Sequence, residues 1–281
     1  MELKRIDGRT LNQVRPIKFS YDALGYADSS VLFEIGNTKV LVSITLQNKV
    51  PIFLRGNGTG WLTAEYSMLP CATQKRIIRD SNQNQKNSRG VEISRLIGRC
   101  LRTVVDLSRI GEKSIIIDCD VLQADGGTRV ACITAASMAL KIAEKRWLNA
   151  GILDDNFIKD SIAAISVGRV NKQIYLDLSF DEDSKADADF NFILTESGKI
   201  IEIQGTSEKE PLDWFEFEEF KKLAIDGVLF IFNLLKNKNK NLDNIVNKKD
   251  IKIEKISYQS RKQNQKTALF SIGNRLSEKP F

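Results

Sequence analysis

The stretch Asp118-Cys-Asp-Val-Leu-Gln-Ala-Asp-Gly-Gly-Thr-Arg129 limits the fold more than any other part of this chain. It reads as a buried strand with Ile117, Cys119 and Val121 on one face and Asp118 and Asp120 on the other. Two glycines then turn the chain into a small-residue helix over 130–140. A helix start exposes free backbone N–H groups and a partial positive charge, so it suits an anion. Thr128 can cap that helix, and Arg129 adds a planar, permanently charged fork that matches phosphate. The run Ser88 to Arg99 sets Arg89 just before a second helix. Two arginines at helix starts point to a phosphate held by Arg89, Gly127, Thr128 and Arg129. A Gly-Gly turn with a threonine cap is also an ordinary way to begin a helix, so the motif carries both readings.

The 281 residues include no histidine. That excludes Ser-His-Asp and Cys-His catalysis, HExxH zinc sites and an imidazole base. Carboxylates, arginines, lysines, hydroxyls and backbone amides remain, together with a hard ion such as Mg²⁺ or Mn²⁺. This set fits phosphoryl transfer, where positioning and charge neutralisation outweigh proton shuttling. The four cysteines are scattered with no CxxC pair, which reads as reduced thiols in a cytoplasmic protein. The N-terminal residues lack the apolar run of a signal peptide. The most apolar stretch, 223–235, is short for a bilayer and contains Asp226, so no membrane partner is expected.

Strand patterns at 31–35 and 38–44 flank Gly36-Asn37 as a hairpin. Further hairpins are expected at 162–170 with 174–180, turning at Asn171-Lys172, and at 190–194 with 200–204. Helical spacing of apolar residues runs over 91–107, and a long amphipathic helix over 215–235. Helices interspersed with antiparallel hairpins indicate an α+β fold of mixed and antiparallel sheets rather than a doubly wound parallel sheet. Residues 1–236 read as one catalytic domain and 237–281 as a basic, flexible extension. From Lys236 onward there are 12 Lys/Arg against 4 Asp/Glu, so the overall charge of +6 reports this tail. The polar run 81–88 reads as a loop.

Two more clusters bear on chemistry. Carboxylates crowd the run Asp181 to Asp189, preceded by Asp177 on an expected strand. Held between strands they can bind Mg²⁺, and their repulsion raises one pKa; an exposed acidic loop is the alternative. Arg55, Lys75, Arg76, Arg79, Arg95, Arg99 and Arg102, with Trp61 and Tyr66 between them, resemble a groove for single-stranded RNA. For the helical arginines an ion-paired exposed face or a subunit contact weighs equally.

Several long motifs resemble the ribonuclease PH family of phosphorolytic exoribonucleases. They are Arg55-Gly-Asn-Gly-Thr-Gly-Trp-Leu-Thr-Ala-Glu-Tyr-Ser-Met-Leu-Pro70, Glu92 to Arg99, Asp118 to Arg129 and Ile201-Glu-Ile-Gln-Gly-Thr206, with Asp7-Gly-Arg9 and Leu11 to Pro16 at the front. The likeness spans roughly residues 4 to 235. It implies that Arg89, Gly127, Thr128 and Arg129 bind inorganic phosphate as co-substrate. It also implies that Asp183 and Asp189 bind Mg²⁺ or Mn²⁺ and act in catalysis, and that Arg76 and Arg79 hold tRNA. The expected activity is 3′→5′ trimming of tRNA precursors with release of nucleoside diphosphates, by a homohexamer built as a trimer of dimers. Cys71 stands after Pro70 where the family commonly has arginine, and Gln74 where histidine is frequent. Ser88 replaces a glycine, and Leu176-Asp-Leu-Ser179 replaces Leu-Asp-Leu-Asp. A catalytically silent ring subunit that binds RNA is the alternative, and a hydrolytic nuclease a third.

Overall fold

The computed structural model describes residues 5–79, 88–238 and Val246. Strands β1 (Ile17–Tyr21), β2 (Ser29–Ile35), β3 (Thr38–Gln47), β4 (Trp61–Met68) and β5 (Ser114–Gln123) form a sheet in the order β1-β2-β3-β5-β4. Only β4 and β5 run parallel, and helix α1 (Ser88–Thr103) lies between them in the chain. Parallel neighbours need such a crossover, whereas Gly36-Asn37 suffices to join β2 to β3 antiparallel. Strand alternation on β5 is as its residues dictate: Ile117, Cys119 and Val121 are buried, while Asp118 and Asp120 are not.

The second sheet is wholly antiparallel: β6 (Ile162–Val170), β7 (Gln173–Leu176), β8 (Ala188–Thr195) and β9 (Ile200–Ser207), in the order β7-β6-β8-β9. Helix α2 (Thr128–Asn149) packs against β2, β3 and β6, and so joins the two sheets. It is buried almost all round, as a helix rich in alanine between two layers must be. Two of its hydroxyls meet β6 beside it. Ile162 N–H donates to Ser137 Oγ at 3.0 Å, and Ala164 N–H to Thr134 Oγ1 at 3.1 Å. These satisfy amides of β6 where the short β7 does not reach. Helix α4 (Trp214–Lys238) packs on β6, β7 and β8.

The α+β expectation holds, and several boundaries shift. The helix expected over 91–107 begins at Ser88 and stops at Thr103, so Arg89 lies inside its first turn rather than ahead of it. The strand expected over 174–180 ends at Leu176. Asp177 therefore is not on a strand: at φ 54° it breaks the ladder, and a one-turn helix α3 (Phe180–Asp183) follows. The loop expected over 81–88 lies outside the described residues except for Ser88. So does the extension from 237, apart from its first two residues, which continue α4, and Val246. Among the described residues no helix is long and apolar enough to cross a membrane, and all four cysteines are free thiols.

Candidate active site

Three short pieces of chain meet at the site. The first is the turn from β5 into α2. Gly126 and Gly127 both adopt positive φ, at 78° and 67°. At Gly126 space as well as backbone demands glycine, because a Cβ would lie 2.6 Å from the Leu178 carbonyl oxygen and 2.8 Å from the Phe180 nitrogen. The turn thus sits directly on the chain that enters α3. Gly127, not Thr128, is the N-cap, and no side chain caps the helix. Thr128 is instead the first residue of α2, buried, with its hydroxyl 2.9 Å from that of Tyr66. Capping by Thr128 is accordingly corrected. The N-cap thus offers no side-chain acceptor to the first-turn N–H groups, which favours an anion there.

The second piece is the first turn of α1 with Arg89, and the third runs from α3 to the start of β8 with Asp183 and Asp189. Burial raises the Asp183 carboxyl above its ordinary range and the like charge of Asp189 adds to this, while Arg89 and Arg129 oppose it. Asp189 is raised in the same way by burial and by Glu208, again opposed by Arg129 and Arg89. Two cations and two carboxylates expected from widely separated segments are therefore electrostatic neighbours. Among the described residues no group of three His, Cys, Asp or Glu is arranged to hold a metal ion. Two carboxylates that repel each other still fit Mg²⁺ or Mn²⁺, which take one or two carboxylates and complete their shell with water and phosphate oxygens.

Arg129 is aimed by partners that sequence reasoning did not assign. Its Nη1 donates to Gln204 Oε1 at 2.5 Å and lies 3.5 Å from Glu92 Oε1, while Gln204 Nε2 donates to the same Glu92 oxygen at 2.8 Å. Gln204 lies within the motif Ile201 to Thr206, and Glu208 two residues beyond it. Gln204 comes beside the arginine because β9 packs against α1, a long-range contact that no local pattern states, while Glu208 acts on Asp183 and Asp189.

The sequence matches the 3′ exoribonuclease family, domain 1, over residues 13–146 and the same family's domain 2 over residues 160–227. Ribonuclease PH of Bacillus subtilis (strain 168) is 49% identical over 225 residues, which cover 80% of this chain and 92% of that protein. Ribonuclease PH of Neisseria meningitidis serogroup B is 48% identical over 220 residues, 78% of this chain and 91% of its own. The chain belongs to the ribonuclease PH family. It is a phosphorolytic exoribonuclease. Two solved structures share the ribonuclease PH fold. Rice (Oryza sativa) Rrp46 gives a TM-score of 0.68 at 16% identity, covering 83% of this chain and 99% of that one. The Archaeoglobus fulgidus exosome with RNA bound to the active site gives 0.67 at 20% identity, covering 84% and 93%.

The basic residues divide. Arg76 and Arg79 are exposed on the irregular segment after β4. Arg99 donates to both carboxylate oxygens of Glu202, at 3.0 and 2.6 Å. Arg102 donates to the Leu62 carbonyl at 3.0 Å and lies 5.2 Å from the centre of the Trp61 ring. On the helix, then, the ion-paired reading describes Arg99, and Arg102 serves packing. Tyr66 is buried with its hydroxyl on Thr128, so it offers no face for stacking a base, which corrects that expectation. Within the acidic run, Glu182 pairs with Arg5 and Asp187 with Lys209, while Asp183 and Asp189 lie within the electrostatic reach of the two arginines.

Proposed function

We propose that this ribonuclease PH-family enzyme shortens the 3′ ends of tRNA precursors with inorganic phosphate as nucleophile. The observation that carries this reading is the meeting of Arg89 and Arg129, each in the first turn of a helix, with the paired carboxylates Asp183 and Asp189. A site with two cations and an uncapped helix start holds a dianion, and carboxylates beside it serve a hard metal ion.

In this reading Arg89, Arg129 and the amides of Gly127 and Thr128 hold phosphate in line with the terminal phosphodiester. A phosphate oxygen forms the new P–O bond while the bond from phosphorus to the 3′ oxygen of the preceding nucleotide breaks. That oxygen takes a proton, and the terminal nucleotide leaves as a nucleoside 5′-diphosphate. Asp183 and Asp189 would hold Mg²⁺ or Mn²⁺, which when bound would neutralise charge on the scissile phosphate. One of the two aspartates, where it is not engaged by the metal, is the proton donor to the departing oxygen. One phosphate ester is exchanged for another, so excess nucleoside diphosphate drives nucleotide addition. Arg76 and Arg79, both exposed, are the residues assigned to tRNA. A cytoplasmic homohexamer and a basic 237–281 extension complete the proposal, resting on the family resemblance and on composition.

The test is incubation of tRNA bearing a short 3′ extension with the enzyme and Mg²⁺, with and without inorganic phosphate. Shortening that requires phosphate and yields nucleoside diphosphates is expected. Release of monophosphates without phosphate would identify water as the nucleophile and overturn the assignment of the pocket.

A further inference from the structure

One buried side chain ties the phosphate turn to the segment that carries Asp183. Arg15 precedes β1 and is 3% exposed. Its Nη1 donates to the Asp125 carbonyl, and its Nη2 to the Gly126 carbonyl at 3.4 Å. The same guanidinium grips Asp177: Nε to Oδ2 at 2.9 Å and Nη2 to Oδ1 at 2.7 Å, with the Arg15 backbone N–H adding a third bond to Oδ2 at 2.7 Å. Asp177 stands two residues before Ser179, the N-cap of α3. Gly36 makes room for this side chain, since a Cβ there would lie 2.5 Å from Arg15 Cδ.

The contacts also fix the aim of the turn. A trans peptide holds its C=O and N–H in one plane, pointing in opposite directions. Drawing the carbonyls of Asp125 and Gly126 toward Arg15 therefore directs the N–H groups of Gly126 and Gly127 away from it. Thr38 acts with Arg15: its hydroxyl donates to the Gly126 carbonyl at 2.7 Å and accepts from the Asp125 N–H at 3.0 Å. We propose that Arg15 is a positioning residue for phosphorolysis, which holds the phosphate turn in register with the aspartate helix and orients the Gly127 amide toward phosphate. This rests on the assignment of residues 127–129 to phosphate.

Lysine at this position keeps a charge for Asp177 but lacks the planar fork that spans carboxylate and carbonyls together. The experiment measures phosphate KM and kcat of Arg15→Lys, Thr38→Val and Arg129→Ala on extended tRNA, with circular dichroism to establish the folded fraction. Folded Arg15→Lys is expected to raise phosphate KM on the order of tenfold or more, with kcat moved less than about threefold. Thr38→Val shifts KM in the same direction by less. Arg15→Lys or Thr38→Val with a wild-type phosphate KM, or a fall in kcat that merely follows a smaller folded fraction, overturns the proposal. Thr38→Val decides the matter should Arg15→Lys not fold. If Arg129→Ala raises phosphate KM while the other two do not, positioning by Arg15 fails and the pocket stands. If Arg129→Ala leaves phosphate KM unchanged, the pocket assignment fails and the positioning role falls with it.

Discussion

The two sides of this site are built by opposite means. On the side of the first sheet, Arg89 and Arg129 ride on the first turns of helices of 16 and 22 residues, whose own length and packing hold them in place. On the side of the second sheet, Asp183 ends a helix of only four residues. Such a helix has no stability of its own, because nucleation fixes several residues for a single hydrogen bond. It is held by residues far off in sequence. Arg5 donates to both Glu182 oxygens and to the Leu176 and Asp177 carbonyls, and Arg9 and Arg15 reach Asp177. The helices that carry the cations hold their own backbone, with tertiary contacts only aiming Arg129, whereas the short helix that carries Asp183 is held in place by tertiary contacts.

The largest effect should come from breaking either side at its reacting end. Arg129→Ala and Asp189→Asn are each expected to lower kcat/KM by roughly 10²–10³, the scale for removing one preorganised electrostatic group. Their remedies should differ. Raised phosphate restores part of the activity of Arg129→Ala, and raised Mg²⁺ part of that of Asp189→Asn. Steady-state kinetics with the two ligands varied separately would sink the division of labour if either ligand rescued both variants equally.

The next effect concerns the long-range support. Removing Arg5 leaves Glu182 buried without its partner, so Arg5→Met should cost about 3–5 kcal/mol in urea unfolding. Titration separates Glu182 and Asp183, neighbours in α3, by sign. Burial works against Glu182 ionising, yet the contacts with Arg5 and with the Ser179 N–H outweigh it and hold its pKa below the usual 4.5. Its stabilisation is therefore present above that value and lost as pH falls through the lowered pKa. Asp183 is raised, so its ionised form opposes folding as pH rises through the folded pKa. At neutral pH, Asp183→Asn should melt higher than wild type while losing activity, and Glu182→Gln should melt lower. Thermal scans in which Asp183→Asn melts below wild type at pH 7 would contradict this account of the site's electrostatics.

The same contrast explains what could be read in advance. The strand, turn and helix around Asp118 to Arg129 declare themselves because period, glycines and small residues all act within a dozen positions. The Asn171-Lys172 turn was legible for the same reason, both residues adopting positive φ as a two-residue hairpin turn demands. The strand expected to continue to Phe180 was not stopped by any local signal. It ends because Asp177 turns into a buried cluster with Arg9 and Arg15. Those arginines stand in the opening motifs, where nothing nearby reveals a partner about 160 residues on. Gln204 escaped assignment similarly: the hairpin that carries it was expected, but its contacts with Arg129 and Glu92 arise only once β9 packs against α1. Asp183 and Asp189 were marked by family resemblance, and the acidic run alone left them equivalent to Asp181 and Asp187.

The smallest effect tests how far exposure identifies a residue that meets RNA. Arg99 is 55% exposed and sits on a helix whose basic face resembled an RNA groove, yet its guanidinium is engaged by both oxygens of Glu202. An arginine already neutralised by a carboxylate releases few counterions on meeting a phosphate, so it adds little to salt-dependent binding. Arg99→Ala should cost only about 0.2–1 kcal/mol of stability, as solvent-exposed ion pairs do, and leave the slope of log K against log salt unchanged. Arg76→Ala and Arg79→Ala should instead each reduce that slope by about 0.7–0.9, the contribution of one phosphate contact. Filter binding of tRNA across a salt series distinguishes the two groups. An equal loss of slope from Arg99→Ala would mean that RNA displaces Glu202, and that the helix face belongs to the RNA path after all.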